Sequence, residues 1–283
     1  MKRITLIAAI ALLVAPQTFA GAGGWAKNIA SAQKVAKDKK QLIFVDLFAQ
    51  WCGWCHRFEA EVYPSEAFQK ATSDMVLLKL DTEDGAEGTK LAQKFAISSL
   101  PTFLVLTPDL TLAGIIRGYA APNDFVSMLK DTRGKHEKFL ALVASEKTFS
   151  NDFQKRLDLA REFNARSAFT DSEPRLKKLT TEKGVPVAIR DAAYYDLAVA
   201  QILQKKYADS LKTTQSLLSM SKTGEPVERA FLLQAQIYLE QNNLAAARDQ
   251  FRKFKQSFPN SPLNRNVDAV LPQIEGKLGA TVK

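Results

Sequence analysis

Gln41 to Phe48 reads Gln-Leu-Ile-Phe-Val-Asp-Leu-Phe and is apolar at nearly every position. A strand with one wet face alternates in polarity. This run does not, so it predicts a central strand covered on both sides. Strands and helices alternate around it. Trp25, Ile29, Ala32, Val35 and Ala36 have helical spacing and predict a helix from Trp25 to Lys37. A second helix is expected from Cys52 to about Val62, ahead of Pro64. Ser65 can cap a short helix reaching Ala71, with Phe68 beneath it. A strand over Met75 to Leu80 and a helix over Gly88 to Phe95 follow. Thr102 to Leu106 is a further strand, Thr107-Pro108-Asp109 is turn chemistry, and Leu112 to Arg117 is the hairpin partner. Pro122 to Lys130 starts a helix, with Phe125, Val126 and Leu129 on one face.

From about Lys135 the strand pattern stops and helical spacing takes over, as in Phe153, Leu157, Ala160 and Phe163. The stretch from Ala193 to Leu211 can be laid over that from Ala230 to Arg248 at an offset of 37 residues. Each unit reads as two helices with alanines where helices cross closely. A plain helical bundle can share this pattern. The second unit, with Leu233, Ala235, Tyr238, Ala246, Phe251 and Pro259, resembles a tetratricopeptide repeat, whose period is about 34 residues. The extra length fits in Thr223-Gly224-Glu225-Pro226. That resemblance implies a concave surface that binds a protein or peptide.

The chain starts with an address. Lys2 and Arg3 precede an apolar stretch from Ile4 to Ala15, and both Thr18-Phe19-Ala20 and Ala20-Gly21-Ala22 fit a cleavage site. We therefore expect residues 1–22 to be a signal peptide, with an α/β domain over residues 23–135 and a helical domain over residues 136–283. Export implies an oxidising compartment, which we expect to be the periplasm. The formal charge of +9 falls to +7 without Lys2 and Arg3. The basic residues are dispersed and form no recognisable motif, so nucleic-acid binding is not expected.

The 283 residues hold two cysteines, Cys52 and Cys55. A loop this short removes little entropy from the unfolded chain, which argues against a structural staple. Only His56 and His136 stand beside them as soft ligands, too few for a four-ligand zinc site. No metal and no cofactor is expected. The spacing instead suits dithiol–disulfide exchange. The sequence Cys52-Gly53-Trp54-Cys55-His56 also fits covalent haem attachment, but a β-strand leads straight into it and Asp46 has no role in that reading.

Leu42 to Tyr119 resembles the thioredoxin superfamily. Asp46 lies six residues before the first cysteine, and Trp51 directly precedes it. Ile97-Ser98-Ser99-Leu100-Pro101-Thr102-Phe103 is similar to that family's loop with a cis proline, and Gly114 and Gly118 come before the last helix. The resemblance implies an α/β thioredoxin fold followed by an all-α, tetratricopeptide-like domain. It implies Cys52 as nucleophile at a helix N-terminus, Cys55 as resolving thiol and Asp46 as the acid–base group beneath them. Leu100 and Pro101 would offer backbone to an extended substrate. Trp51 and Trp54 either line the same docking surface or cover the helix entry. Gly53-Trp54 departs from the Gly-Pro of thioredoxin itself. The wording around it is closer to exported thioredoxin-like proteins and thiol–disulfide interchange proteins.

The expected activity is thiol–disulfide exchange with protein substrates, in the reducing direction, fed by a membrane electron donor. The intervening pair tunes potentials from roughly −270 to −120 mV across the superfamily, so oxidation or isomerisation is the alternative. A different class is a binding scaffold in which the cysteines act as a latch.

Overall fold

The computed structural model of the protein describes residues 24–280; the expected signal segment lies outside them. The described chain divides into two compact units. One comprises residues up to 110 together with 115–132, the other residues 111–114 and everything from 133 onward.

The four strands form one sheet, most of it in the first unit. Its strands are β1 (Leu42–Phe48), β2 (Met75–Asp81), β3 (Thr102–Leu106) and β4 (Leu112–Arg117), in the order β2-β1-β3-β4. β1 runs parallel to β2 and antiparallel to β3. Its central place explains its composition, since Ile43 to Leu47 are all buried. The helices are α1 (Ile29–Lys39), α2 (Gly53–Glu61), α3 (Glu66–Ala71) and α4 (Glu87–Lys94), followed by α5 (Pro122–Ala144).

The core of this unit is aromatic. Phe44, Phe58, Phe103 and Phe125 are essentially without solvent exposure. Phe44 stacks on Phe103 at 5.6 Å, and Phe125 meets Phe103 edge-on at 4.8 Å and Phe58 at 4.6 Å. Such offset and edge-to-face pairs add to the area the rings bury. Gly88 allows α4 to start hard against the end of β2, because a Cβ there would lie 1.9 Å from the Asp81 carbonyl oxygen.

Two elements differ from the sequence expectation. The first helix begins at Ile29 rather than Trp25. Asn28 accepts from the Ser31 amide at 2.8 Å while Ser31 Oγ accepts from the Asn28 amide at 3.1 Å, a reciprocal cap that ends the helix there. Trp25 lies outside the helix, and Ala26 forms a parallel bridge to Leu78, its amide donating to the Leu77 carbonyl at 2.7 Å. The last helix of the sheet-bearing segment does not stop near Lys130. It continues to Ala144.

The second unit is helical. After a short 3₁₀ turn at Glu146–Phe149 come α6 (Phe153–Ala165), α7 (Phe169–Thr181), α8 (Val187–Leu203), α9 (Tyr207–Met220), α10 (Glu225–Glu240), α11 (Leu244–Ser257) and α12 (Asn264–Ala280). The 37-residue offset is visible in the backbone. Lys205 between α8 and α9 and Asn242 between α10 and α11 both adopt the left-handed conformation, at φ 60° and 55°. In each turn the next amide reaches back into the preceding helix, Lys206 to Gln201 O and Asn243 to Tyr238 O. Ala193, Ala198, Ala200, Ala230, Ala235 and Ala247 are fully buried, as close helix crossings require.

Candidate redox site

β1 ends at Phe48, and Ala49 to Trp51 turn the chain into α2. Cys52 is the N-cap of that helix, with extended backbone angles (φ −78°, ψ 94°). Its Sγ accepts from the Cys55 amide at 3.2 Å, and its carbonyl accepts from the amides of Cys55 and His56 at 3.0 and 3.2 Å. The Cys52 sulfur therefore sits at a helix start, where backbone amides and the helix dipole favour negative charge. Cys52 and Cys55 are joined in a disulfide with an S–S distance of 2.02 Å. Both are nearly buried, at 3% and 5% exposure.

The chain comes back to this point from a distance. Leu100 packs with Phe48 against the cluster of Ala49, Cys52 and Cys55. The Leu100–Pro101 peptide bond is cis. Pro101 is buried, and its carbonyl accepts from the Gly118 amide at 2.9 Å. The next residue, Thr102, returns its hydroxyl to the Ser99 carbonyl at 2.7 Å.

Asp46 is 3% exposed in the middle of β1. Successive strand residues face opposite ways, so Asp46 shares a face with Phe44, and it is paired with Phe103 across β1 and β3. Phe58 of α2 packs on that Phe103 at 4.3 Å. Cys55, Phe58 and Glu59 stand at i, i+3 and i+4 on α2, so Cys55 looks toward the same face of the sheet as Asp46. Burial lifts the Asp46 carboxyl from 3.8 to about 6, opposed by a hydrogen bond from Tyr63 and by the Lys79 charge, and reinforced by Glu59. Lys79 is the partner of Asp46 in the β1–β2 register. Its ammonium donates to Glu59 Oε2 at 2.7 Å and lies 4.5 Å from the centre of the Phe48 ring.

The two tryptophans stand outside this buried centre. Trp51 is 69% exposed and Trp54 55%. The Trp51 indole N–H donates to Glu83 Oε1 at 2.8 Å. Trp54 lies 5.4 Å from the ring of Tyr119, and the Arg57 guanidinium covers both rings, at 5.4 and 4.7 Å. Glu61 bonds Arg57 at 2.9 Å and also accepts the Tyr119 hydroxyl. His56 is exposed, with its Nε2 2.8 Å from the Gln50 carbonyl oxygen.

A model of the thioredoxin-like domain matches residues 29–133, and a tetratricopeptide repeat model matches residues 229–261. Residues 29–133 are a thioredoxin-like domain. This α/β domain is followed by helices that include a tetratricopeptide repeat. The thiol:disulfide interchange protein DsbD of Pasteurella multocida is 36% identical over 73 residues, covering 25% of this chain and 13% of that protein. The protein of the same name in Actinobacillus pleuropneumoniae is 29% identical over 101 residues, covering 34% and 17%. The chain thus spans less than a fifth of the length of these two relatives. A thioredoxin from Thermus thermophilus is 19% identical, covers 38% of this chain and 84% of its own, and has a TM-score of 0.35.

The sequence assigns no role to Tyr63, Glu59, Arg57 or Tyr119, which the structure places around Asp46 and Trp54. Glu59 and Arg57 lie one helical turn from Cys55 and Gly53, which hints at a shared face, but Tyr63 and Tyr119 arrive through the fold. Among the described residues no helix is long and apolar enough to cross a membrane. No group of three or more potential metal ligands comes together among them either.

Proposed function

We propose that this chain is an exported, periplasmic thiol–disulfide oxidoreductase that reduces disulfides in protein substrates. The observation that carries the reading is the Cys52–Cys55 disulfide at the N-terminus of α2, with Leu100 packed against it one residue before a cis proline. Export rests on the charged-then-apolar order of the first 22 residues. The domain limits we propose are 23–135 and 136–283.

In the dithiol form, Cys52 attacks one sulfur of a substrate disulfide as a thiolate. A Cys52–substrate disulfide forms and the substrate's other sulfur leaves as a thiolate, which takes up a proton. Cys55 then gives its proton to Asp46 and attacks Cys52 Sγ. The Cys52–Cys55 bond forms, the bond to the substrate breaks, and the second substrate sulfur leaves with the electron pair. Two electrons have passed from the cysteine pair to the substrate. A carboxylate that titrates at about 6 suits the proton step, being ionised at neutral pH yet basic enough to accept.

Leu100 and Pro101 supply backbone for an extended substrate, and Trp51 and Trp54 provide exposed aromatic surface beside it. A membrane donor returns electrons to the pair in an oxidising compartment. The tetratricopeptide repeat and its neighbouring helices bind a protein, either the client or an assembly partner.

Insulin reduction by dithiothreitol tests the activity. Wild-type chain accelerates it, and Cys52→Ser does not; equal rates refute the enzymatic reading. Cys55→Ala accumulates covalent adducts that reductant releases. The equilibrium potential of the pair tests direction, a value near −270 mV fitting a reductant and one near −120 mV an oxidant, on the approximate scale of known thiol oxidoreductases.

A further inference from the structure

Tyr63 follows α2, outside any sequence motif, yet its hydroxyl donates to Asp46 Oδ2 at 2.5 Å. Among the described residues, Asp46 Oδ1 is buried without a hydrogen-bond partner. The two oxygens are therefore unequal. Oδ2 is held, and Oδ1 is the open acceptor. Tyr63 itself is fixed by aromatic neighbours, with Trp25 at 4.9 Å, Phe58 at 5.2 Å and Phe68 at 5.2 Å.

We propose that Tyr63 is a positioning residue of the redox site: its hydroxyl orients Asp46 through Oδ2, leaves Oδ1 to take the Cys55 proton, and sets the pH above which that step runs. The proposal rests on the oxidoreductase reading only for the identity of the proton donor. The charged groups that influence Asp46 are Lys79 on β2 and Glu59 on α2, and these bond each other at 2.7 Å. Their opposite charges offset at the carboxyl, which leaves Tyr63 as the strongest counterweight to burial. Burial and the nearby carboxylates hold the Tyr63 phenol well above its usual range, so it stays a donor throughout the working pH. A hydrogen bond to the ionised carboxylate favours the charged form. Removing it makes Asp46 hold its proton to higher pH.

The test uses the full chain with Tyr63→Phe, Asp46→Asn and the double variant. Two quantities are followed from pH 4.5 to 9: the rate at which Cys55 resolves a Cys52 mixed disulfide with a small aromatic thiol, and the titration of the Asp46 carboxyl carbon by ¹³C NMR. In Tyr63→Phe, the acid limb of the rate profile and the NMR midpoint both move up by about one pH unit, a roughly tenfold slower resolution on that limb. Asp46→Asn abolishes the limb, and the double variant matches Asp46→Asn. A Tyr63→Phe profile and midpoint that superimpose on wild type overturn the inference while leaving the oxidoreductase reading intact. If the chain performs no thiol–disulfide exchange, that reading fails, and the NMR midpoint alone decides whether Tyr63 governs Asp46. If the Phe variant does not fold, ¹³C-labelled Tyr63 in the wild-type chain answers instead. A Cζ shift at the Asp46 midpoint supports the coupling, and a Cζ that ignores that midpoint overturns it.

Discussion

The rings of Phe58 and Phe103 lie 4.3 Å apart, centre to centre, at an angle of 36°. Phe58 is three residues beyond Cys55, and Phe103 two residues beyond Pro101. One contact therefore ties the helix that starts at the disulfide to the strand that follows the cis proline. Both rings are essentially unexposed. Phe58→Ala should cost about 3–5 kcal/mol of stability in urea denaturation, the usual loss for emptying a buried aromatic site. A loss below about 1 kcal/mol contradicts the view that this contact holds the two segments together.

Asp46 should make stability fall as pH rises. Its folded-state carboxyl titrates at about 6, above the ordinary 3.8. Between those values the unfolded chain has released a proton that the folded chain keeps. Stability therefore declines as pH climbs from about 4 to 6 and levels off above. Asp46→Asn removes this penalty. In chemical denaturation of the oxidised chain, the variant should be more stable by about 3 kcal/mol at pH 8 and show little gain at pH 3.5. Equal stabilities at both pH values mean that the carboxyl is not raised.

Gly88→Ala should destabilise the thioredoxin-like domain. The new Cβ meets the backbone of Asp81 at 1.9 Å, and Asp81 is held by its pairing with Phe48 across β1 and β2. The clash cannot be relieved by turning a side chain. We expect a loss of about 2 kcal/mol or more, seen as a lower thermal midpoint. An unchanged midpoint shows that α4 can shift away from β2 at little cost.

Trp54→Ala should separate docking from chemistry. The ring is 55% exposed on a support of Tyr119 and Arg57, so its loss should change stability by less than about 1 kcal/mol. If the ring docks substrate, KM for a protein disulfide rises by roughly three- to tenfold, equivalent to about 0.7–1.4 kcal/mol. Turnover of a small disulfide stays the same. An equal fall in both substrates places the ring's effect on the cysteines rather than on docking.

The sequence by itself determined the local chemistry and the order of elements. An apolar run without alternation specifies a central strand because both its faces are covered. A strand that runs into a helix near Cys52 puts the cysteine pair at a helix start, where amides are left unpaired. The 37-residue echo pointed to repeated helix pairs, and the structure added a left-handed residue at equivalent positions, Lys205 and Asn242. Helix ends were less legible. The reciprocal cap of Asn28 and Ser31 overrode an apolar spacing that continued back to Trp25, and nothing local stopped α5 before Ala144. What surrounds Asp46 was decided only by the tertiary structure. Strand register brought Lys79 opposite it, helix geometry turned Glu59 toward Lys79, and a packed aromatic collar aimed Tyr63 at Oδ2. Those partners lie 33, 13 and 17 residues away, and their influence depends on distances of a few ångströms and on burial. Spacing along a chain carries neither quantity, because both arise when separate elements close around the same point.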